Sequence, residues 1–360
     1  MKRVIFLVVV AALFAGYGTA YLASDDVRYL TRAGIEETRI LHARQPITEL
    51  AADPRTDPAL RDALGLVVAS RDYAARLGLE AKETYTTYAD VGRDTLLLVL
   101  QAAPRDCICP YTWKYPIVGR IPYKGFFDTR AARREADRLA ARGYDVHLRP
   151  SGAFSTLGWF NDPLLSSILR SDEVDLVETI THELSHNHLF VPGQVTFNES
   201  FANFVGRTGS ARFFCSRPGS GPDSVKCARA QARWRDEVRF SRFLDGFLDE
   251  LRALYADPQL ASEEKVRRRE TIFAAAKTRF RDEVQPTFEQ LRFGYFLSTP
   301  LNNATLIATM IYYHRLADFD ALLAQNGGDL RAAIAKLKAG VETTTDPYTL
   351  LPTSAVAAAR

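Results

Sequence analysis

The stretch that most restricts how this chain can fold is His182-Glu183-Leu184-Ser185-His186, followed after a break by Asn198-Glu199-Ser200. On a helix, histidines four residues apart leave the same face and can grip one cation together. The flanks predict such a helix: Val174, Leu176, Val177, Ile180, Leu184 and Leu189 are apolar, and the chain breaks at Pro192-Gly193. Glu183 lies one step round the helix, beside the cation rather than on it. There it can take a proton from water and later return it to a leaving group.

A catalytic zinc needs a third protein ligand and one open position. His188 points to the opposite side of the helix from His182 and reads as a surface or packing residue. Glu199 is better placed, because "TFNESFANFVG" can start a second helix that folds back on the first. The competing account is a capping box, Thr196-x-x-Glu199, which would use the same glutamate without any metal. The expected metal ligands are therefore His182, His186 and Glu199, binding Zn2+, with Glu183 as the base.

The rest of the chain sets the context. Lys2 and Arg3 precede an uncharged run from Val4 to Ala23, closed by Asp25 and Asp26. Two positive charges before an apolar run describe an export signal, and as a helix that run covers about 30 Å, enough to span a bilayer. Residues 1–24 are thus a signal peptide or a retained membrane anchor, and the remainder is expected in the periplasm or facing it from the inner membrane. A net charge of +3 over 360 residues argues against a nucleic-acid footprint, which would need a concentrated basic face. Cys215 and Cys227 flank a polar loop that a disulfide would close. Cys107 and Cys109 are so near each other that a bridge would form a tight ring, leaving free thiols or a cross pairing as alternatives.

The periodicity predicts helices from Asp25 to about Leu79, with breaks at "RQPI" and "ADPRTDP". It places a strand in "DTLLLVLQAAP", a strand or hairpin in "YPIVGRIPYKGFF", a helix in "DTRAARREADRLAARGY" and a strand in "DVHLRP". From Asp172 the pattern turns helical, and the last helices are expected to begin at Thr299-Pro300. Strands early and helices late define an α+β fold. The expected organisation is residues 25–225 carrying the sheet and metal region, and residues 226–360 forming a helical part that closes the site.

"HELSH" followed by "NESFAN" resembles the gluzincin metallopeptidases, thermolysin and its relatives. More closely, the chain resembles the bacterial family called "putative aminopeptidase", through "YLTRAGIEETRILHARQPI", "YPIVGRIPYKGFFD", "GYDVHLRPSGAFSTLGWFNDP", "THELSHNHLF", "FNESFANFV" and "LNNATLIATMIYY". These stretches touch most of the chain from Tyr29 to His314. The resemblance implies a zincin-like fold, a zinc peptidase and a peptide substrate. It also implies that Asn198 and Asn203 hold the ligands in orientation. Two departures stand out: only twelve residues separate His186 from Glu199, so the connection must be a tight hairpin, and Asn203 stands where an aspartate is usual.

Amide hydrolysis also needs a support for the substrate backbone and a donor for the developing oxyanion. Phe154, Ser155, Thr156 and Trp159 lie in an extended stretch that can act as the edge to which a peptide adds as a strand. Tyr312, Tyr313 and His314 are the candidate donors. An aminopeptidase outside the cytoplasm is the function expected. The alternatives are a zinc endopeptidase and a non-catalytic, zinc-stabilised binding or quality-control module at the membrane.

Overall fold

The computed structural model describes residues 1–93, 95–115, 119–152, 162–169, 171–217 and 221–353. Helix α1 (Lys2–Ala23) buries none of its residues. Among the described residues it is the one helix long and apolar enough to cross a membrane. Ser24 ends it in an extended conformation and caps α2 (Asp25–His42), its hydroxyl accepting from the Val27 amide. The breaks at "RQPI" and "ADPRTDP" fall as expected. After β1 (Gln45–Pro46) come α3 (Ile47–Ala52) and α4 (Pro58–Arg76), the latter started by Asp57 and Pro58.

Two small sheets and a hairpin follow. One sheet has the order β1-β2-β8, with β2 (Thr87–Ala89) antiparallel to β1 and parallel to β8 (Leu164–Leu165). In the other, β3 (Leu97–Pro104) runs antiparallel between β6 (Lys124–Phe126) and β7 (Tyr144–Ser151). Strands β4 (Trp113–Tyr115) and β5 (Gly119–Ile121) form a hairpin that begins before the stretch read as a strand or hairpin, whose later part is β6 in the other sheet. Helix α5 (Thr129–Ala141) lies between β6 and β7 in the chain and buries Ala132, Ala136 and Leu139. These residues share one helical stripe and pack on Leu100, Ala102 and Phe126 of the sheet.

The second half is helical: α6 (Glu173–His188), α7 (Val195–Ser216), α8 (Val225–Ala256), α9 (Ser262–Arg279), α10 (Gly294–Ser298), α11 (Asn303–Tyr313), α12 (Leu316–Gln325) and α13 (Leu330–Gly340). The largest core cluster runs from Ile40 to Leu351 and so joins residues on both sides of position 225. Disulfides link Cys215 to Cys227, tying the end of α7 to the start of α8, and Cys107 to Cys109, so neither pair is reduced or crossed. A loop closed as in the first pair stabilises by roughly 3 kcal/mol.

The start of α11 is later than expected, because Asn302 rather than Thr299 caps it, in a reciprocal box with Thr305. What holds α11 in place is Asp145 on β7. Its buried carboxylate accepts from Arg269 at 2.6 and 3.0 Å and from the Asn303 amide at 2.9 Å. Asn302 and Asn303 spend their side chains on the carbonyls of Val146, Pro104 and Cys107. Helix α11 is thereby pinned to the sheet at one end, and its other end reaches the histidines.

Candidate metal centre

Helix α6 begins at Asp172, whose carboxylate accepts from the amides of Val174 and Asp175. Its apolar face, Val174, Leu176, Val177, Ile180 and Leu184, is buried and leaves the half-buried histidines on another side. The return to α7 is short and clasped. Asn198 accepts from the Val191 amide and donates to the Val191 carbonyl, both at 2.9 Å. Helix α7 starts with Gln194 at its cap, so Thr196 lies within the helix and the capping-box account of Glu199 does not hold. Close approach of the helices depends on Gly206 and Gly209. A Cβ on Gly206 would sit 2.9 Å from the Glu178 carbonyl oxygen and 3.1 Å from His182 Cβ, and one on Gly209 would sit 2.9 Å from Thr181 Cγ2.

That approach brings Glu199 Oε2 to 3.3 Å from His182 Nε2 and 3.7 Å from His186 Nε2. One donor atom from each of the three residues lies within 4.8 Å of the others. A tetrahedral zinc with bonds of ~2.0–2.1 Å has ligand atoms ~3.3–3.4 Å apart, close to the two distances from Glu199 to the histidines. The donor set, two imidazoles and a carboxylate, is one that zinc takes in open sites. Among the described residues no fourth histidine, cysteine, aspartate or glutamate joins the group. The side chains keep 14%, 22% and 19% of their surface, so one side of the triangle stays reachable. Among the described residues His186 Nδ1 is buried without a hydrogen-bond partner, so none of them serves as this ligand's usual orienting acceptor.

With no cation bound, the three residues compensate one another. Burial penalises charge on His186, but the carboxylates of Glu199 and Glu183 outweigh it and raise the imidazole pKa to about 9. Burial likewise opposes charge on Glu199, yet His186 and His182 hold its carboxyl well below the usual range. The His186 contribution to stability is therefore complete below about pH 6.5 and is lost as the pH rises through about 9. The Glu199 contribution is present above about pH 4.5 and is lost only as the pH falls through its depressed value.

Glu183 is half-buried and, with His182, lines a cavity of about 190 Å³ that also meets Asp175, Glu178, Thr179, Asn203, Gly206 and Arg207. Behind His182, Arg207 pairs with Glu178 and with Glu237, the latter at 2.7 Å, and Arg233 pairs with Asp175. These buried ion pairs brace α6 against α7 and α8.

The remaining candidates divide. Tyr312 faces the site, its ring centroid 6.5 Å from that of His182. Burial and the Glu199 carboxylate push its hydroxyl pKa up, so it stays protonated near neutrality. Asn203 does not orient a ligand histidine; its amide donates to the Tyr312 carbonyl at 2.7 Å and so fixes that tyrosine. Asn198, as described, closes the hairpin instead of touching a ligand. Tyr313 is not a donor at the site, because its ring is buried against Phe240 and Phe293. Nor is His314, whose Nδ1 lies 2.5 Å from Asp245 and whose ring packs on Tyr348. His188 sits away from the triangle beside Lys338 and Glu80. Phe154, Ser155, Thr156 and Trp159 lie outside the described residues. Unforeseen are Gly206 and Gly209, whose small-residue spacing was a readable signal, and Tyr123 and Arg149, for which the sequence offered none. Tyr123 is half-buried near the carboxylates; burial and Glu199 push its pKa up to about 12.

Two adjoining helices of this α+β protein thus offer a His-His-Glu triangle with a glutamate next to it. The chain belongs to the family described as "Putative aminopeptidase", whose profile matches residues 28–346. No curated protein and no solved structure matches the chain.

Proposed function

We propose that this protein is a zinc-dependent peptidase of zincin-like architecture acting outside the cytoplasm, with His182, His186 and Glu199 holding the metal. The observation that carries the reading is the triangle itself, closed by a hairpin and open on one side. Family membership supports peptide hydrolysis, and the family's description favours removal of N-terminal residues. When bound, zinc supplies a Lewis acid that acidifies water and polarises a carbonyl. Glu183, next in sequence to a ligand but not itself one, accepts the proton of the attacking water and delivers it to the departing amine. The protonated Tyr312 hydroxyl donates to the oxygen on which charge develops. Asn203 and the Asp145 clamp hold Tyr312 for that task through α11.

A second reading is favoured by one observation. An aminopeptidase must neutralise a free α-amine, yet Asp175 and Glu178 beside the histidines are already paired with Arg233 and Arg207. That favours an endopeptidase. The apolar, unburied α1 fits either a cleaved signal or an anchor in the inner membrane. The test of catalysis is Glu183→Gln, which keeps size and all three ligands. Cleavage of a peptide library should fall by roughly 10²–10⁴-fold while zinc content is unchanged. Wild-type protein that is fully zinc-loaded, cleaves nothing and matches Glu183→Gln in every assay would leave a metal-stabilised binding module as the better account.

A further inference from the structure

Arg149 stands on β7, the strand at one edge of the β6-β3-β7 sheet, and is half-buried. Its Nη2 lies 3.5 Å from the Tyr312 hydroxyl, and its guanidinium is 5.9 Å from the centre of that ring. Tyr312 in turn faces His182. At most about 12 Å therefore separates the guanidinium from the His182 ring, which corresponds to about three residues of extended peptide. Arg207, Arg233 and Arg269, which also lie near these helices and the sheet, are each neutralised by carboxylates. Among the described residues Arg149 has no such partner. The Tyr312 hydroxyl beside it accepts from the guanidinium, and its own O–H can donate.

We propose that Arg149 is a specificity-determining residue that binds a carboxylate of the substrate within about three residues of the scissile bond, either the C-terminal carboxylate of a short peptide or an acidic side chain. The inference rests on the peptidase reading. A guanidinium presents a planar fork that matches a carboxylate with two parallel hydrogen bonds, and the Tyr312 hydroxyl beside it adds a donor. With such an anchor, peptide length would be measured from the carboxylate end, and long chains lacking an acidic residue near the cut would be poor substrates.

The experiment measures binding and turnover separately. Binding is measured by calorimetry on zinc-loaded Glu183→Gln protein with three probes: Ala-Ala-Phe free acid, Ala-Ala-Phe amide and Ala-Asp-Phe amide. The free acid should bind at least tenfold more tightly than the plain amide. The aspartyl amide shows whether a side-chain carboxylate substitutes for the terminus. Adding Arg149→Met should erase the preference and leave the plain amide's affinity unchanged, whereas Arg149→Lys should keep only part of it. Melting temperature and zinc content of each variant establish that the fold is intact. Equal binding of acid and amides with Arg149 present, or a preference that survives Arg149→Met, overturns the proposal. So does an Arg149→Met enzyme that loses kcat equally on acids and amides, which would make Arg149 an oxyanion donor or a positioning residue for Tyr312. A wild-type protein that cleaves nothing, yet shows an Arg149-dependent preference in binding, would refute the peptidase reading and leave the carboxylate site standing.

Discussion

Replacing Gly206 by alanine tests whether the contact between α6 and α7 sets the metal site. The new Cβ would meet the Glu178 carbonyl oxygen at 2.9 Å and His182 Cβ at 3.1 Å, where ordinary contacts begin at 3.4 Å. Neither atom can rotate away, since one is backbone and the other is fixed to it. Helix α7 would have to retreat by about 0.5 Å, an overpacking that costs about 1–3 kcal/mol. Alanine's better helix propensity returns about 1 kcal/mol. The expected net loss is about 0–2 kcal/mol in denaturant melts of the metal-free protein. Glu199 lies two turns earlier on the same helix, and metal–ligand distances tolerate only about ±0.2 Å. Zinc affinity, titrated against a competing chelator, should therefore fall about 10–100-fold. Gly65 in α4 provides the control, because a Cβ there meets nothing within 4 Å. Gly65→Ala should stabilise by about 0.5–1 kcal/mol and leave zinc binding alone. A Gly206→Ala protein as stable as wild type and equally tight for zinc, beside a normal Gly65→Ala, would refute the argument.

The other expectations are simpler to state. Melts of chelator-treated protein should show stability falling between about pH 6.5 and 9, as His186 loses its proton, with that slope absent after zinc loading. An identical slope in His186→Gln would assign it to some other group. A periplasmic reporter fused after residue 30 should be active and a cytoplasmic one silent; the reverse pattern would contradict export.

Much of the site was legible because it depends on local spacing. The pair His182 and His186 needs only a helix, and the apolar pattern from Val174 to Leu189 together with the Pro192-Gly193 break specified that helix. Glu199 required one more step, that two helices joined by a short connection must lie antiparallel. What could not be read was any relation set by tertiary packing. Asn203 and Asn198 have polar side chains on a helix beside a ligand, and nothing local says that they serve the Tyr312 and Val191 backbones instead. Adjacent residues on α11 diverge for a similar reason: a helix turns about 100° per residue, so Tyr312 faces the histidines while Tyr313 enters the phenylalanine cluster. Strands β3, β6 and β7 and helix α5 were legible from their periodicity, but the short strands β1, β2 and β8 were not read, being two or three residues long with no period to show, and Asp145 as the anchor of α11 joins residues far apart in sequence and left no local trace.

The central claim is that Glu199 completes a zinc site with His182 and His186, and elemental analysis of purified protein addresses it directly. Wild type should carry roughly one zinc per chain, and Glu199→Ala should carry almost none while its circular dichroism stays that of a folded protein. Glu199→Ala retaining the full complement, or wild type failing to hold zinc after loading and dialysis, would contradict the account.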